Sequence, residues 1–293
     1  MDVVSDVLRV VRLGGAVFLN GEFTAPWCIL SQLDGTLCTQ YLPPSDHVVS
    51  YHLVTSGSCW ARTVADPGTA IELQAGELLV VPQGEAHILG SSLELSPVSA
   101  APLLARGLQN APGQMITMSF GGEGAATRII CGFLACNETL CNPLLSSLPR
   151  LFKVDMRNDP RSAWLESSLE FAATEAAEWR AGSAIVLARL SELLFVEALR
   201  RCIDALPSDR IGWLAGARDR YVGRALSFLH AQPAHPWTID ELARKSGLSR
   251  SALHGAARKA AHTVSGALAP ATRRAGSSRR QQAAGSDFGV GWL

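Results

Sequence analysis

The chain has 293 residues, about half of them apolar, with 26 basic and 26 acidic side chains. That length predicts two domains and that apolar share supports a real core. A net charge of zero excludes a global field that would draw the whole chain onto nucleic acid. The balance is uneven, however. From Gly255 onward six basic residues (Arg258, Lys259, Arg273, Arg274, Arg279 and Arg280) face one acid, Asp287. The front is mildly acidic and the tail basic. Asp2 sits where a basic leader would begin, and no apolar run reaches membrane-spanning length, so a cytoplasmic protein with reduced thiols is expected.

In chain order, residues from about Val7 to Ile130 carry short apolar runs bounded by turn residues: LGGAVFL, VVSYHLV, SCWARTV, IELQAG, ELLVVP and MITMSF. This pattern predicts an all-β sandwich or barrel. Ser92 to Gly113 breaks the rhythm and reads as a loop. NPLLSSLPRLFKV reads as a short helix and connector. Arg161 to Arg180 and Ser183 to Ala205 read as helices; the second has Ile185, Val186, Leu190, Leu193, Leu194, Leu199 and Ile203 at helical spacing. Its wide apolar surface predicts burial against a partner helix or a second subunit. Pro207 to Gly216 reads as a linker, and Arg218 to Ala231 as an amphipathic helix.

The stretch TIDELARKSGLSRSAL, Thr238 to Leu253, predicts a helix, a tight turn and a second helix. Thr238 is an N-cap for a helix starting at Ile239, Gly247 turns the chain, and Ser249 caps the helix that carries Arg250, Ser251 and Leu253. This is a helix-turn-helix pattern, whose second helix enters the major groove N-terminus first; an ordinary helical hairpin is the plain alternative. On the first reading, Thr238 and Ser249 lie near phosphates, and Arg250, Ser251 and His254 reach base edges or, for Arg250, a phosphate.

In the β-rich part, AGELLVVPQGEAHIL has the spacing G-x5-P-x-G-x2-H at Gly76, Pro82, Gly84 and His87. Gly76 makes a hairpin turn, Pro82 and Gly84 bend the chain, and His87 points inward on the returning strand. This resembles the second signature motif of the cupins, a double-stranded jelly roll. The first such motif supplies two His and a Glu to a metal. Its equivalent here, SDHVVSYHLVTSGSCW, has His47 and His52 without an H-x-H pair or a following Glu before Gly57. Metal-dependent catalysis is therefore not expected, and neither is a cofactor. His52, Trp60 and His87 are the candidate effector-pocket residues; the alternative is that the histidines are merely hydrogen-bonded in the barrel. Cys131, Cys136 and Cys141, each five apart, are too widely spaced for a typical zinc site. They read either as small buried apolar residues or as redox-sensing thiols, with Cys28 or Cys59 as a partner.

Taken together, GAVFLNGEFTAPWC, YHLVTSGSCW, the AGELLVVPQGEAH motif, RLSELLFVEALRR and RALSFLHAQPAHPWTIDELARKSGLSRSAL resemble the AraC/XylS-type regulators with a cupin-like N-terminal domain. The resemblance implies an α+β multidomain chain. Residues 1–141 would form a cupin-like β jelly roll that binds an effector, and 142–206 a helical dimerisation segment. A linker at 207–217 would lead to an all-α helix-turn-helix unit at 218–258, with an atypical basic tail at 259–293. It implies a DNA-binding transcriptional regulator, not an enzyme, whose partners are double-stranded DNA, a small-molecule effector and a second copy of the chain, with no membrane. The alternative is a cupin-fold metalloenzyme or small-molecule-binding protein with a DNA-binding remnant. The resemblance stops after Leu253: where the family has an Arg and then a buried aromatic, Gly255 and Ala257 stand, and no second helix-turn-helix follows. A change of reading frame just after Leu253 or degradation of the gene there is one account; the rival is a genuine short variant whose basic tail makes non-specific phosphate contacts. Gly255 weakens the helix by about 1 kcal/mol.

Overall fold

A computed structural model describes residues 18–32, 47–110, 116–136, 144–157, 180–205, 219–232 and 235–261, with isolated positions at 5, 164, 167, 168, 171, 174, 175, 178, 214 and 216. Among the described residues the strands are β1 (Phe18–Thr24), β2 (Cys28–Ser31), β3 (His47–Ser56), β4 (Ser58–Thr63), β5 (Ile71–Gln74), β6 (Glu77–Val81), β7 (His87–Gly90), β8 (Val98–Ser99), β9 (Ile116–Gly121), β10 (Ala126–Cys136) and β11 (Phe152–Asp155). The helices are α1 (Ala100–Asn110), set between β8 and β9, then α2 (Ser183–Ala205), α3 (Arg220–Ala231), α4 (Ile239–Ser246) and α5 (Arg250–Ala261).

The strands form a six-stranded sheet in the order β11-β6-β3-β10-β1-β9 and a five-stranded sheet in the order β5-β4-β7-β2-β8. Pairing is antiparallel except for β1 with β9 and β2 with β8, which are parallel. The two sheets face each other across a core that includes Leu19, Ile129 and Cys131 from the larger sheet and Ile29, Ala61 and Leu89 from the smaller.

The larger sheet is also covered on its other face, by α2. Along β3, Val49, Tyr51 and Leu53 belong to the core shared with Leu187, Leu190 and Leu194 of α2. The alternate residues His52 and Val54 turn toward the smaller sheet. β10 is divided the same way, with Ile130 and Leu134 toward α2 and Ile129 and Cys131 toward the other sheet. A strand buried on both faces reads as a continuous apolar run, which is why HVVSYHLV and RIICGFLAC show little polar alternation. Leu190, Leu194, Leu199 and Ile203 of the apolar stripe of α2 thus lie in the core that covers the sheet, while Ile185, Val186 and Leu193 are exposed.

Hydrogen bonds fix α2 on the sheet: Arg201 Nη1 donates to the Asp155 carbonyl of β11 at 2.7 Å, and Ser191 meets Tyr51 of β3. The Ser191 hydroxyl donates to the Leu187 carbonyl, 2.9 Å, so it accepts from the Tyr51 hydroxyl, 2.6 Å away. Gly132, paired with Tyr51 across β10 and β3, makes room for that ring: a Cβ there would lie 2.0 Å from the Tyr51 hydroxyl oxygen.

Two expectations are corrected. Ser92 to Gly113 is not a loop throughout: it holds β8 and α1. Pro102 lies in the first turn of α1, where a missing N–H has no intrahelical partner to lose, so it does not break the helix. The end of NPLLSSLPRLFKV is not a connector: Phe152–Asp155 is an edge strand paired with β6, tied by Lys153 Nζ to Glu77 Oε1 at 2.9 Å. Within the expected linker, Leu214 is buried in the α2 core. Helix Ser183–Ala205 has the bounds read from the sequence. The described positions of Arg161 to Arg180 between 164 and 178 are helical, whereas Cys141 and the tail at 262–293 lie outside the described residues.

Replacing Gly132 with Ala is expected to destabilise the protein by about 1–3 kcal/mol through overpacking, read as a lower urea midpoint. In a Tyr51→Leu background the same change is expected to cost clearly less, because the ring it strikes is gone.

Candidate effector site and nucleic-acid interface

The expected hairpin motif is formed: Ala75 and Gly76 turn the chain between β5 and β6. Gly84 follows with φ +61°, and a Cβ there would lie 2.4 Å from the Val48 carbonyl oxygen, so only glycine fits the bend that returns the chain to β7. The bend aims His87 into the inter-sheet space. β3 delivers His52 from the opposite sheet, and the two Nε2 atoms lie 2.6 Å apart. Both side chains are almost wholly buried.

The hydrogens of this cluster follow from one fixed acceptor. The Glu85 carbonyl can only accept, so His87 Nδ1, 2.8 Å away, donates to it. A neutral His87 then accepts at Nε2, so His52 Nε2 donates. His52 Nδ1 in turn accepts from the Cys131 thiol at 2.9 Å. Cys131 is the register partner of His52 across β10 and β3. The result is a directed chain, Cys131 to His52 to His87 to the Glu85 carbonyl, with every member uncharged. Burial enforces that neutrality. It pushes the His87 pKa down to about 4, against a smaller upward pull from the Glu85 hydrogen bond. It also lowers that of His52 well below the ordinary range, with His87 adding to the effect. It also raises the Cys131 thiol, and that of Cys59 to about 12.

Next to this chain lies a cavity of about 30 Å³ between the sheets. Phe23, Trp27, Met118 and Ile129 line it along with His52 and Cys131, and Ala100 and Leu104 of α1 close one side. Trp60 is on the outer face of β4 and 40% exposed, away from this space. Cys131 and Trp27 were not singled out as pocket residues. The two-residue alternation of β10 could have turned Cys131 inward with Ile129, but its partner across the sheet is set by a pairing the sequence does not spell out.

The residues do not fit the metal of the catalytic cupins. His47 and His52 are five residues apart on one strand and face opposite ways; His47 bonds the Pro82 carbonyl at 2.7 Å. His52 already uses both ring nitrogens, and no group of three His, Cys, Asp or Glu placed to hold a metal occurs among the described residues. Cys131 and Cys136 fall in the two different cores on either side of the large sheet. All five cysteines among the described residues are buried, and no disulfide joins any two of them.

The C-terminal helices form a separate small core of Ala225, Leu242, Ala243 and Leu253, with Phe228, Trp237 and Leu248 packed against it. Thr238 caps α4, its hydroxyl accepting from the Glu241 amide at 3.2 Å. Gly247 ends it in the left-handed conformation, φ 83°, which costs glycine little. The Ser249 hydroxyl accepts from the Ala252 amide at 3.2 Å and starts α5. Leu253 is buried, whereas Arg250, Ser251 and His254 are exposed. Arg250 makes only a long contact with Asp240, 3.5 Å, between two largely exposed side chains. Helix α5 runs through Gly255 to Ala261, so the glycine weakens but does not end it; a side chain there would meet open space.

The buried histidines predict a pH dependence with a definite sign. Their folded pKa values lie below the unfolded value of about 6.5, so the unfolded chain takes up protons first. The stability they carry is complete above about pH 6.5 and is lost as the pH falls toward 4. Unfolding free energies from urea titrations between pH 7 and 5.5 should therefore fall with pH, by up to about 1.4 kcal/mol per unit for each histidine. The slope should be shallower in His87→Gln, and an unchanged slope would count against the neutral pair.

The cupin family model matches residues 2–204. The chain is 29% identical over 273 residues to an AraC-like transcription regulator of Streptomyces antibioticus, covering 93% of this chain and 82% of that one. It is 28% identical over 228 residues to an AraC-like transcription regulator of Streptomyces lividans, covering 77% and 71%. It is 23% identical over 254 residues to the HTH-type transcriptional regulator AlkR of Acinetobacter baylyi, covering 86% and 77%. With the family model spanning both sheets and α2, and with such relatives along most of its length, the chain belongs to the cupin family, and its relatives are AraC-like transcription regulators.

Proposed function

We propose that the protein is an AraC-type transcriptional regulator that binds double-stranded DNA through α4 and α5 and answers to a small-molecule effector in its β domain. The observation that carries this reading is the capped α4–α5 pair with Arg250, Ser251 and His254 exposed at the start of α5. A recognition helix meets the major groove with that end, and its N-terminus favours phosphate. The AraC-like relatives support it.

On this reading residues 1–141 act as a cupin jelly roll, 142–206 as the dimerising part, 207–217 as a linker, 218–258 as the DNA-binding unit and 259–293 as a basic tail. The protein works in the cytoplasm and is not an enzyme. Among the described residues, no helix is long and apolar enough to cross a membrane. Thr238 and Ser249 lie beside phosphates, and Ser251 and His254 at base edges. One unit reads few base pairs; pairing two copies raises affinity through effective concentration. Ile185 and Leu193, exposed on the outer face of α2, support pairing there. The effector would shift the balance between two arrangements of the paired units, with His52 and His87 at its site.

Fluorescence anisotropy on the upstream DNA of its own gene and on a scrambled duplex, over a salt series, tests the reading. Preference for the native duplex should persist at about 150 mM salt. Ser251→Ala with His254→Ala should erase that preference. Arg250→Ala should weaken binding to both duplexes and flatten the salt slope by about one unit. Equal binding to both duplexes by the unmodified protein would sink the proposal.

A further inference from the structure

The inter-sheet cavity has three features that together describe an occupant. It is apolar, since its walls are mostly Leu, Ile, Phe, Met and Ala side chains. Its polar lining comprises the Ser31 hydroxyl and the Cys131–His52–His87 chain, and that chain is internally satisfied: each ring nitrogen already has a partner. One donor is not satisfied. Trp27 is 1% exposed, lines the cavity and stacks on Phe23 at 4.3 Å, and its Nε1 has no hydrogen-bond partner among the described residues. A buried indole N–H normally finds an acceptor, and leaving one unpaired is costly. Ligand sites commonly combine apolar walls with a few such polar groups.

We infer that this space is a binding site for a small, uncharged, mainly apolar molecule with one hydrogen-bond-accepting oxygen, such as an aliphatic ketone, and that α1 is the wall that gives way to admit it. The identification deepens the effector reading above and rests on it. The oxygen accepts from Trp27 Nε1 and the hydrocarbon part takes the place of α1 side chains. A carboxylate is excluded because the lining holds no cation: its histidine is buried and neutral, and its remaining walls are uncharged. Transferring an unpaired anion into such a space is prohibitive.

The lid follows from size and from how each wall is held. At about 30 Å³ the cavity holds little more than one water, well short of a ligand of several carbons. Of the strands around it, β1, β2, β3, β7 and β10 are tied by backbone ladders on both sides, and β9, at the sheet edge, is tied to β1 on one. Helix α1 closes the space with side chains, chiefly Ala100 and Leu104, packed on the inter-sheet core. Eleven residues are also too few to hold a helix in water alone. Displacing α1 breaks side-chain packing and leaves both sheets intact.

The test uses the full-length protein without DNA and three probes of equal chain length: 2-hexanone, n-hexane and hexanoate, followed by ligand-observed NMR titration. 2-Hexanone and hexane should bind and hexanoate should not. Trp27→Phe should weaken 2-hexanone roughly 3- to 10-fold and leave hexane unchanged, because only the ketone loses a hydrogen bond. Leu104→Phe, which narrows the space from the α1 side, should weaken ketone and hexane alike. Amide exchange across residues 100–110 should change on adding 2-hexanone. No ketone binding, hexanoate binding as tightly as the ketone, equal losses for ketone and hexane in Trp27→Phe, or unaltered exchange in α1 would each overturn the inference. Because DNA is absent from these titrations, ketone binding by a protein that fails the duplex test would overturn the regulator and not the site. A protein that discriminates duplexes but binds no ketone would do the reverse.

Discussion

The structure depends on the double burial of the central strands of the larger sheet. β3 and β10 each send one set of side chains toward α2 and the alternate set toward the smaller sheet. Side chains alternate faces along a strand, so a slip of one residue would exchange the two sets. It would place His52 against α2 and Tyr51 in the inter-sheet space. The Tyr51–Ser191 hydrogen bond and the opening at Gly132 hold the register from one side. The His52–His87 hydrogen bond holds it from the other. The candidate effector site and the seat of α2 are therefore opposite faces of the same two strands. A change in the spacing of the sheets at the cavity bears directly on the packing of α2.

Neutrality is the electrostatic counterpart of that packing. A buried charge without a partner is far more costly than a buried hydrogen bond is valuable. Here the Glu85 carbonyl fixes the first donor, and each following proton has one place left. The cluster that resembles a ligand set is by this logic a closed hydrogen-bond chain. The polar group left open is elsewhere, on Trp27. Histidines attract attention in a sequence because they titrate and bind metals; an unpaired indole N–H attracts none until its surroundings are known.

The helix-turn-helix was legible to the residue because its signals are local. Thr238, Gly247 and Ser249 each act within four residues of their own position, through caps and a left-handed turn. The bounds of α2 were legible for a similar reason, a sustained helical period between Gly182 and Pro207. Helix α1 was not, since Pro102 and Gly107 look like breakers unless the first turn is already known to begin at Ala100. β11 was hidden behind Pro149, and its place at the sheet edge is decided by pairing with β6, about 70 residues earlier.

The sequence by itself determined the element types over most of the chain, the hairpin motif from Gly76 to His87 and the capped helix pair. All of these rest on interactions spanning a few residues. Only the tertiary structure decided that His52 meets His87 and Cys131, that Trp60 faces outward while Trp27 lines a cavity, and that α1 covers it. The physical reason is that strand register and sheet packing join residues tens of positions apart. Those pairings are chosen by the whole core at once, through the fit of both faces of β3 and β10, and no local pattern carries them.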